Sequence, residues 1–469
     1  MSADVPFDPA SAGWEQLLRS MLGSAADDVI AELRAGGFDP ASLPTIPGMP
    51  TDPESLRRMA GQMQQMMAAG GEGGVNWEMA HELARQQAST GGDPSVGAGE
   101  RRAVTDAFSV AELWLDDVTD LPASGASGRA WSRAEWVEAT LPTWRTLTEP
   151  IATSLATALS GALGATVGDE LGPESTGLDV TDMVHRLGQT VFGLQVGQAV
   201  GTLAREVFGA TDIGLPLLAS PVPVLVPGNV SDFGEGLGVP ADELRLFLAL
   251  REAAATRLVT HVPWLRSHLL GAVEAYARGI TIDTDQLEEA VRSVDATDPE
   301  ALQAALSGGV FGPQTTPEQQ AALDRLETSL ALVEGWVDEV SAAAALAHLP
   351  HAVALREMMR RRRAAGGPAE QMLATLVGLQ LRPRRLRDAA TLWAAIAAER
   401  GQSGRDAVWT HPDLMPSAAD LDDPSGYAAR QRDADAESAA LDAAIAEILD
   451  DTGSGGDGEP GGDDTPQGR

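Results

Sequence analysis

The sequence predicts a mainly α-helical fold with a small strand component and non-globular ends. Apolar residues make up 43% of the 469 and recur at helical spacing through long alanine- and leucine-rich runs. Strand signals are few, and glycine-rich or acidic stretches mark both ends of the chain. Aromatic residues reach only 4%, so the core is expected to form from interlocking helices with small side chains at their contacts.

Three zones follow: 1–74, 75–424 and 425–469. In the first, Trp14 to Leu22 and Asp27 to Leu33 are short helical candidates. A methionine-rich run follows, Met59 to Met67, closed by Gly70-Gly71-Glu72-Gly73-Gly74. Methionine stripes can form adaptable binding faces, but a loosely docked helix in a mobile zone is the expectation here.

The second zone carries helical patterns over Ala103 to Val118 and Ala134 to Leu163, with Pro142 and Pro150 as breaks. Others cover Val180 to Phe208, Ala241 to Thr260 and Trp264 to Arg278, which Pro263 can begin and Gly279 can end. Asp285 to Val294, Pro317 to Ala347 and Asp388 to Arg400 complete the set. Gly193, Gly197 and Gly201 recur every fourth residue, which lets a neighbouring backbone approach closely. They lack the strand and turn of a nucleotide loop. Pro221 to Pro227 has the β-branched content of a strand, but its prolines confine it to an edge.

From Asp433 onward the third zone holds eleven Asp and Glu against one Arg. Apart from a short helix over Ala439 to Leu449, it has too little apolar area to offset its ordering entropy and is expected to be disordered.

Composition narrows the function. Cysteine is absent, which excludes thiol nucleophiles, disulfides and cysteine-based metal sites. All 33 basic residues are arginines, so Schiff-base and P-loop lysine chemistry are excluded, and no G-x-S-x-G elbow occurs. A net charge of −35 disfavours nucleic acid and anionic membranes as partners. No signal peptide or membrane span is evident, and a cytoplasmic location is the expectation.

One stretch has the outline of a catalytic motif. Leu246 to Ala255 reads Leu-Phe-Leu-Ala-Leu-Arg-Glu-Ala-Ala-Ala. In His-Glu-x-x-His, two histidines one helical turn apart hold zinc and the glutamate between them activates water. Glu252 keeps the glutamate position. The ligand positions hold Arg251, whose guanidinium stays protonated, and Ala255, which has no donor atom.

The flanks strengthen the comparison. Asn76-Trp77-Glu78, Gly92-Asp93-Pro94-Ser95-Val96, Trp131 to Val137, Thr211-Asp212-Ile213-Gly214-Leu215-Pro216, His261-Val262-Pro263-Trp264-Leu265 and Leu381 to Asp388 resemble signatures of an actinobacterial hydrolase family classed among the zincin-like, zinc-dependent metallopeptidases. The likeness runs from about Val75 to about Pro424. It implies a zincin-like domain, with Glu252 as a vestigial general base and Arg251 and Ala255 on positions that have lost their ligands. In one zincin subclass a glutamate on a later helix is the third ligand, and the resemblance makes Glu274 the candidate. It also makes the Pro221 to Pro227 segment the candidate for the strand that receives extended substrate in zincins.

No substitute metal site emerges. Pro263 separates His261 from His268, His348 and His351 flank a turn, His411 lies in a loop, and His81-Glu82 is followed by Arg85 where a second histidine would fall. Structural roles near helix ends are expected for all of them. Arg360 to Arg363 suit a helix C-terminus, while Arg382, Arg384, Arg385 and Arg387 can pair with carboxylates or recognise an acidic group. The expectation is a family member without zinc and without zinc-dependent catalysis, acting as a binding or scaffolding protein for a protein or peptide partner. The alternative is an active hydrolase that holds zinc through other ligands, with Glu252 as general base. A purely structural helical module is the third option.

Overall fold

The computed structural model describes residues 75–171, 180–278, 316–365 and 385–454. The expected helices over Trp14 to Leu22, Asp27 to Leu33 and Asp285 to Val294, the methionine run, and Arg382 and Arg384 lie outside the described residues.

The fold is mainly helical, as the periodicity predicts. α1 (Trp77–Ala88) starts on Asn76, whose side chain accepts from the Met79 N–H, a favourable N-cap. α2 (Ala98–Leu115) follows, and α3 (Arg133–Leu171) and α4 (Val180–Ala204) are long. α5 (Pro227–Gly234) leads into α6 (Ala241–His261) and α7 (Pro263–Arg278). α8 (Pro317–Leu346) begins with a capping box between Thr316 and Gln319. α9 (Ala352–Ala364) carries the four-arginine run, and α10 (Leu386–Asp406) turns at Gly401, whose φ of 74° suits glycine. Two further elements, the short α11 (Ala418–Asp422) and the long α12 (Tyr427–Ser454), close the described chain.

Pro142 and Pro150 do not break α3, contrary to expectation. Each proline removes one backbone hydrogen bond, a cost of about 3 kcal/mol in a helix interior. The helix is held by what it buries, with Trp136, Val137, Trp144, Leu147 and Ile151 all in the core. α12 likewise exceeds the short helix expected in the acidic tail, because its alanine-rich stretch contains no breaker before Gly453.

The strand component is small. β1 (Arg129–Ala130) and β2 (Val224–Leu225) form one parallel pair in the register Arg129 with Val224 and Ala130 with Leu225. β2 lies inside the proline-flanked segment expected to form an edge strand.

The glycine stripe packs α4 against α1. A Cβ at Gly193, Gly197 or Gly201 would come within 2.7, 2.6 and 2.6 Å of the carbonyl oxygens of Asn76, Ala80 and Ala84. Larger contacts supplement these small ones, since Trp136, Trp144, Trp336, Trp393 and Trp409 are fully buried. Their ring nitrogens help to fix the packing, as Trp336 donates to Asp406 and Trp393 to the Leu332 carbonyl. α6 runs through the middle, packed against α2, α8 and β2. Every residue from Phe247 to Leu258 is buried, so the motif stretch is a core helix. Among the described residues no helix is long and apolar enough to cross a membrane.

Candidate functional site

α6 begins behind Pro240 with Asp242 and Glu243 in its first turn, where carboxylates suit the helix dipole. It ends at Val262, which precedes Pro263 and is therefore pushed out of the helical region. Arg251, Glu252 and Ala255 sit on its buried middle.

The loop before β2 closes around Glu252. Oε1 accepts from the backbone N–H groups of Ala210 at 2.9 Å and Val224 at 3.3 Å. Oε2 accepts from the Thr211 N–H at 3.2 Å and the Thr211 hydroxyl at 2.5 Å. Gly209 makes this approach feasible, because a Cβ there would lie 2.5 Å from Oε2 and from the Val224 carbonyl oxygen. Trp136 fixes the same loop by donating to the Gly209 carbonyl at 3.0 Å. Burial raises the Glu252 carboxyl to about 7, and the hydrogen bonds from Thr211, Ala210 and Val224 only partly oppose that rise.

Arg251 points towards α8. Its guanidinium donates to Glu334 at 3.2 Å and lies 3.6 Å from Asp338. Asp338 is almost wholly buried and also holds Arg356 at 2.8 Å and Arg360 at 2.7 Å. Glu334 pairs in turn with Arg363 at 3.2 Å. Arg363 and Arg362 grip Asp212 at 3.0 and 3.2 Å, and Arg362 stacks over Phe208 with 4.1 Å to the ring centroid. Burial would raise the Asp212 carboxyl, yet Arg362 and Arg363 outweigh it and hold the group below the usual range.

These groups surround a small cavity of about 30 Å³, lined among others by Thr211, Asp212, Arg251, Glu252, Ala255 and Glu334. That is room for about two waters. Glu274 is not brought there: it is half-buried on α7 and pairs with Arg278 at 3.6 Å. The carboxylate that faces the motif is Glu334. Sequence reasoning missed it, together with Asp212 and Arg363 as pocket groups, although Asp212 belongs to one of the family-like signatures.

The six histidines whose side chains are described serve elsewhere. His81 meets Glu138 at 2.8 Å, His351 meets Glu243 at 3.0 Å and His268 meets the Ser329 hydroxyl at 3.0 Å. His261 faces the Ala123 carbonyl, His348 stacks on Trp114, and His411 accepts from the Asp413 N–H. Of the second arginine cluster, Arg385 pairs with Asp422 and Arg387 with Glu357.

A zinc ion needs three or four ligands from His, Asp, Glu or Cys. Here the motif positions offer a guanidinium and a methyl group, Glu252 already accepts four hydrogen bonds, and Glu334 and Asp338 are claimed by arginines. Among the described residues no three His, Asp or Glu side chains converge in a way that could hold a metal. The residues present do not fit zinc.

Comparison with known proteins identifies the lineage. No curated protein matches the chain. A crystal structure of a candidate hydrolase with a novel fold, from Chloroflexus aurantiacus, matches at 19% identity with a TM-score of 0.54. The match covers 76% of this chain and 99% of that one, so the two share a fold. The family model described as zincin-like metallopeptidase matches residues 75–428, most of the chain. The buried helix with its glutamate thus sits in a chain that belongs to the zincin-like metallopeptidase family.

Proposed function

We propose that this chain is a member of the family that has relinquished zinc-dependent catalysis and acts as a binding or scaffolding protein. One observation carries the reading: the residue at the first ligand position, Arg251, is engaged by Glu334 and Asp338, so a positive charge built into the chain stands where a bound cation would be needed. The full complement of donors on Glu252 supports it, because a general base needs a free lone pair facing a water. Zinc needs three or four ligands, and neither Arg251 nor Ala255 offers one, which supports the same reading.

A second reading, an active hydrolase with Glu252 as general base, draws on the raised carboxyl of Glu252, which lies near neutrality where a base is effective. Metal analysis separates the two. Protein purified without a histidine tag is expected to contain well under one zinc per chain, and stoichiometric zinc overturns the first reading. The double variant Arg251→His with Ala255→His is expected to take up zinc measurably. Native protein that hydrolyses a peptide library, with the activity lost to a chelator and to Glu252→Gln, establishes the second.

A further inference from the structure

The motif cavity is walled by the loop Phe208 to Pro216, by β2, by α6, by α8 and by α9. The first four walls are held by apolar burial and backbone hydrogen bonds. α6 is buried from Phe247 to Leu258, and α8 carries Leu332, Trp336 and Val337 in the core. The loop buries Ile213 to Leu218 and is tied to Glu252 through Ala210 and Thr211, as β2 is through Val224. α9 closes the remaining side with Met359 and Arg363.

α9 is held differently. Of its 13 residues only Ala352, Leu355 and Met359 are buried. Its polar ties are ion pairs: Arg356 to Asp338 and Glu339, Arg360 to Asp338, Arg362 to Asp212, and Arg363 to Asp212 and Glu334. Arg362 also donates to the Glu206 carbonyl at 2.5 Å. The four arginine side chains are 19–22% exposed, so water already reaches this seam. If α9 moves away, the guanidinium groups and carboxylates regain hydration, which offsets much of what the lost pairs contributed. Buried leucine and tryptophan side chains on the other walls have no such compensation. Local opening favours elements with few buried apolar contacts, and among the walls of this cavity α9 is that element.

We propose that α9 is a lid over the motif cavity, latched by its arginines. In the closed state the cavity has room for about two waters, so a larger ligand reaches Glu252 only after a wall moves. Release of Arg362 and Arg363 from Asp212 and Glu334 frees the end of α9 that covers the cavity, and Met359 leaves with it. The rest of the site stays in place, because the loop and β2 are fastened to Glu252 and not to α9. Asp212 is the centre of the latch: it pairs with two arginines of the lid and accepts from the Phe208 N–H at the edge of the loop. The lid concerns access to the cavity and is independent of whether the chain holds zinc.

The absence of cysteine gives a direct test on the full chain. Ala255→Cys places a single thiol in the cavity under the lid. Ser329→Cys, close in size to the native residue and buried on α8 against His268, places one in the core as a reference. Each is reacted with N-ethylmaleimide and followed by mass spectrometry. Position 255 is expected to be labelled at least about tenfold faster than position 329. Adding Arg362→Gln and Arg363→Gln is expected to speed labelling at 255 by about tenfold or more and to leave 329 unchanged. Arg361→Gln, on the same helix but 78% exposed, leaves both rates as they are. In the native chain, hydrogen exchange should find the amides of Leu355 to Ala364 exchanging together, at least about tenfold faster than those of α6. Equal labelling at the two positions, or acceleration of both by the double variant, means that the chain opens as a whole and overturns the lid. A rate at 255 indifferent to the double variant, or α9 amides as protected as those of α6, overturns it as well.

Discussion

Burial and hydrogen bonding pull the Glu252 carboxyl in opposite directions. Burial prevails and raises it from an ordinary 4.5 to about 7. The folded protein then holds this proton more tightly than the unfolded chain does. Its contribution to stability is complete below about pH 4.5 and is lost as the pH climbs through 7, an effect of roughly 3 kcal/mol at about 1.4 kcal/mol per unit. Glu252→Gln should expose the mechanism. The amide nitrogen must face either the Ala210 and Val224 N–H groups or that of Thr211, which leaves a buried donor without an acceptor at a cost of about 1–3 kcal/mol. The variant is expected to be less stable than the native chain at pH 5, with the gap narrowing towards pH 8. Urea unfolding across that range measures it, and a gap independent of pH would show that the carboxyl does not titrate there.

Helix pairing in this fold depends on where backbone can meet backbone. The stripe of Gly193, Gly197 and Gly201 is legible in the sequence because small residues at every fourth position have one geometric use on a helix. The structure supplies the partner, the carbonyl edge of α1. The continuity of α3 is not legible, since local rules make Pro142 and Pro150 breakers and only the burial of distant side chains overrides them. The arginine run of α9 has the local pattern of a solvated helix end, yet Arg360, Arg362 and Arg363 reach carboxylates on α8 and in the loop before β2. The stripe gives the sharpest expectation at this scale. Gly197→Ala places a methyl 2.6 Å from the Ala80 carbonyl oxygen, against backbone that cannot rotate aside. It should destabilise the chain by about 1–3 kcal/mol through overpacking. Gly188→Ala on the same helix, with open space around it, should be neutral or slightly stabilising through helix propensity. Denaturant midpoints of the two variants check the contrast.

At the scale of the whole molecule, a contiguous motif and a dispersed site differ in what a chain reveals. Arg251, Glu252 and Ala255 are recognisable because five consecutive positions on one helix define the pattern. Glu334, Asp212 and Arg363 are not, because three separate segments bring them together and no local spacing links them. The same holds for charge. The core contains arginines held by carboxylates: Arg257 by Glu112 and Asp116, Arg405 by Asp406, and Arg251, Arg356 and Arg360 by Asp338. Apart from the exposed Asp116, these groups are buried or mostly buried, and salt screens their pairs less than it screens surface charges. The remaining charge is mostly acidic, and a chain with a net charge of −35 repels itself. Raising NaCl from about 0.1 to about 1 M shortens the screening length from about 10 to about 3 Å. Self-repulsion then fades while the buried pairs persist, so the melting temperature is expected to rise by several degrees. Differential scanning calorimetry at fixed pH decides the matter. A melting temperature that falls with salt would mean that exposed ion pairs such as Arg361 with Glu357 and Arg430 with Asp423 hold the molecule together more strongly than its excess of carboxylates drives it apart.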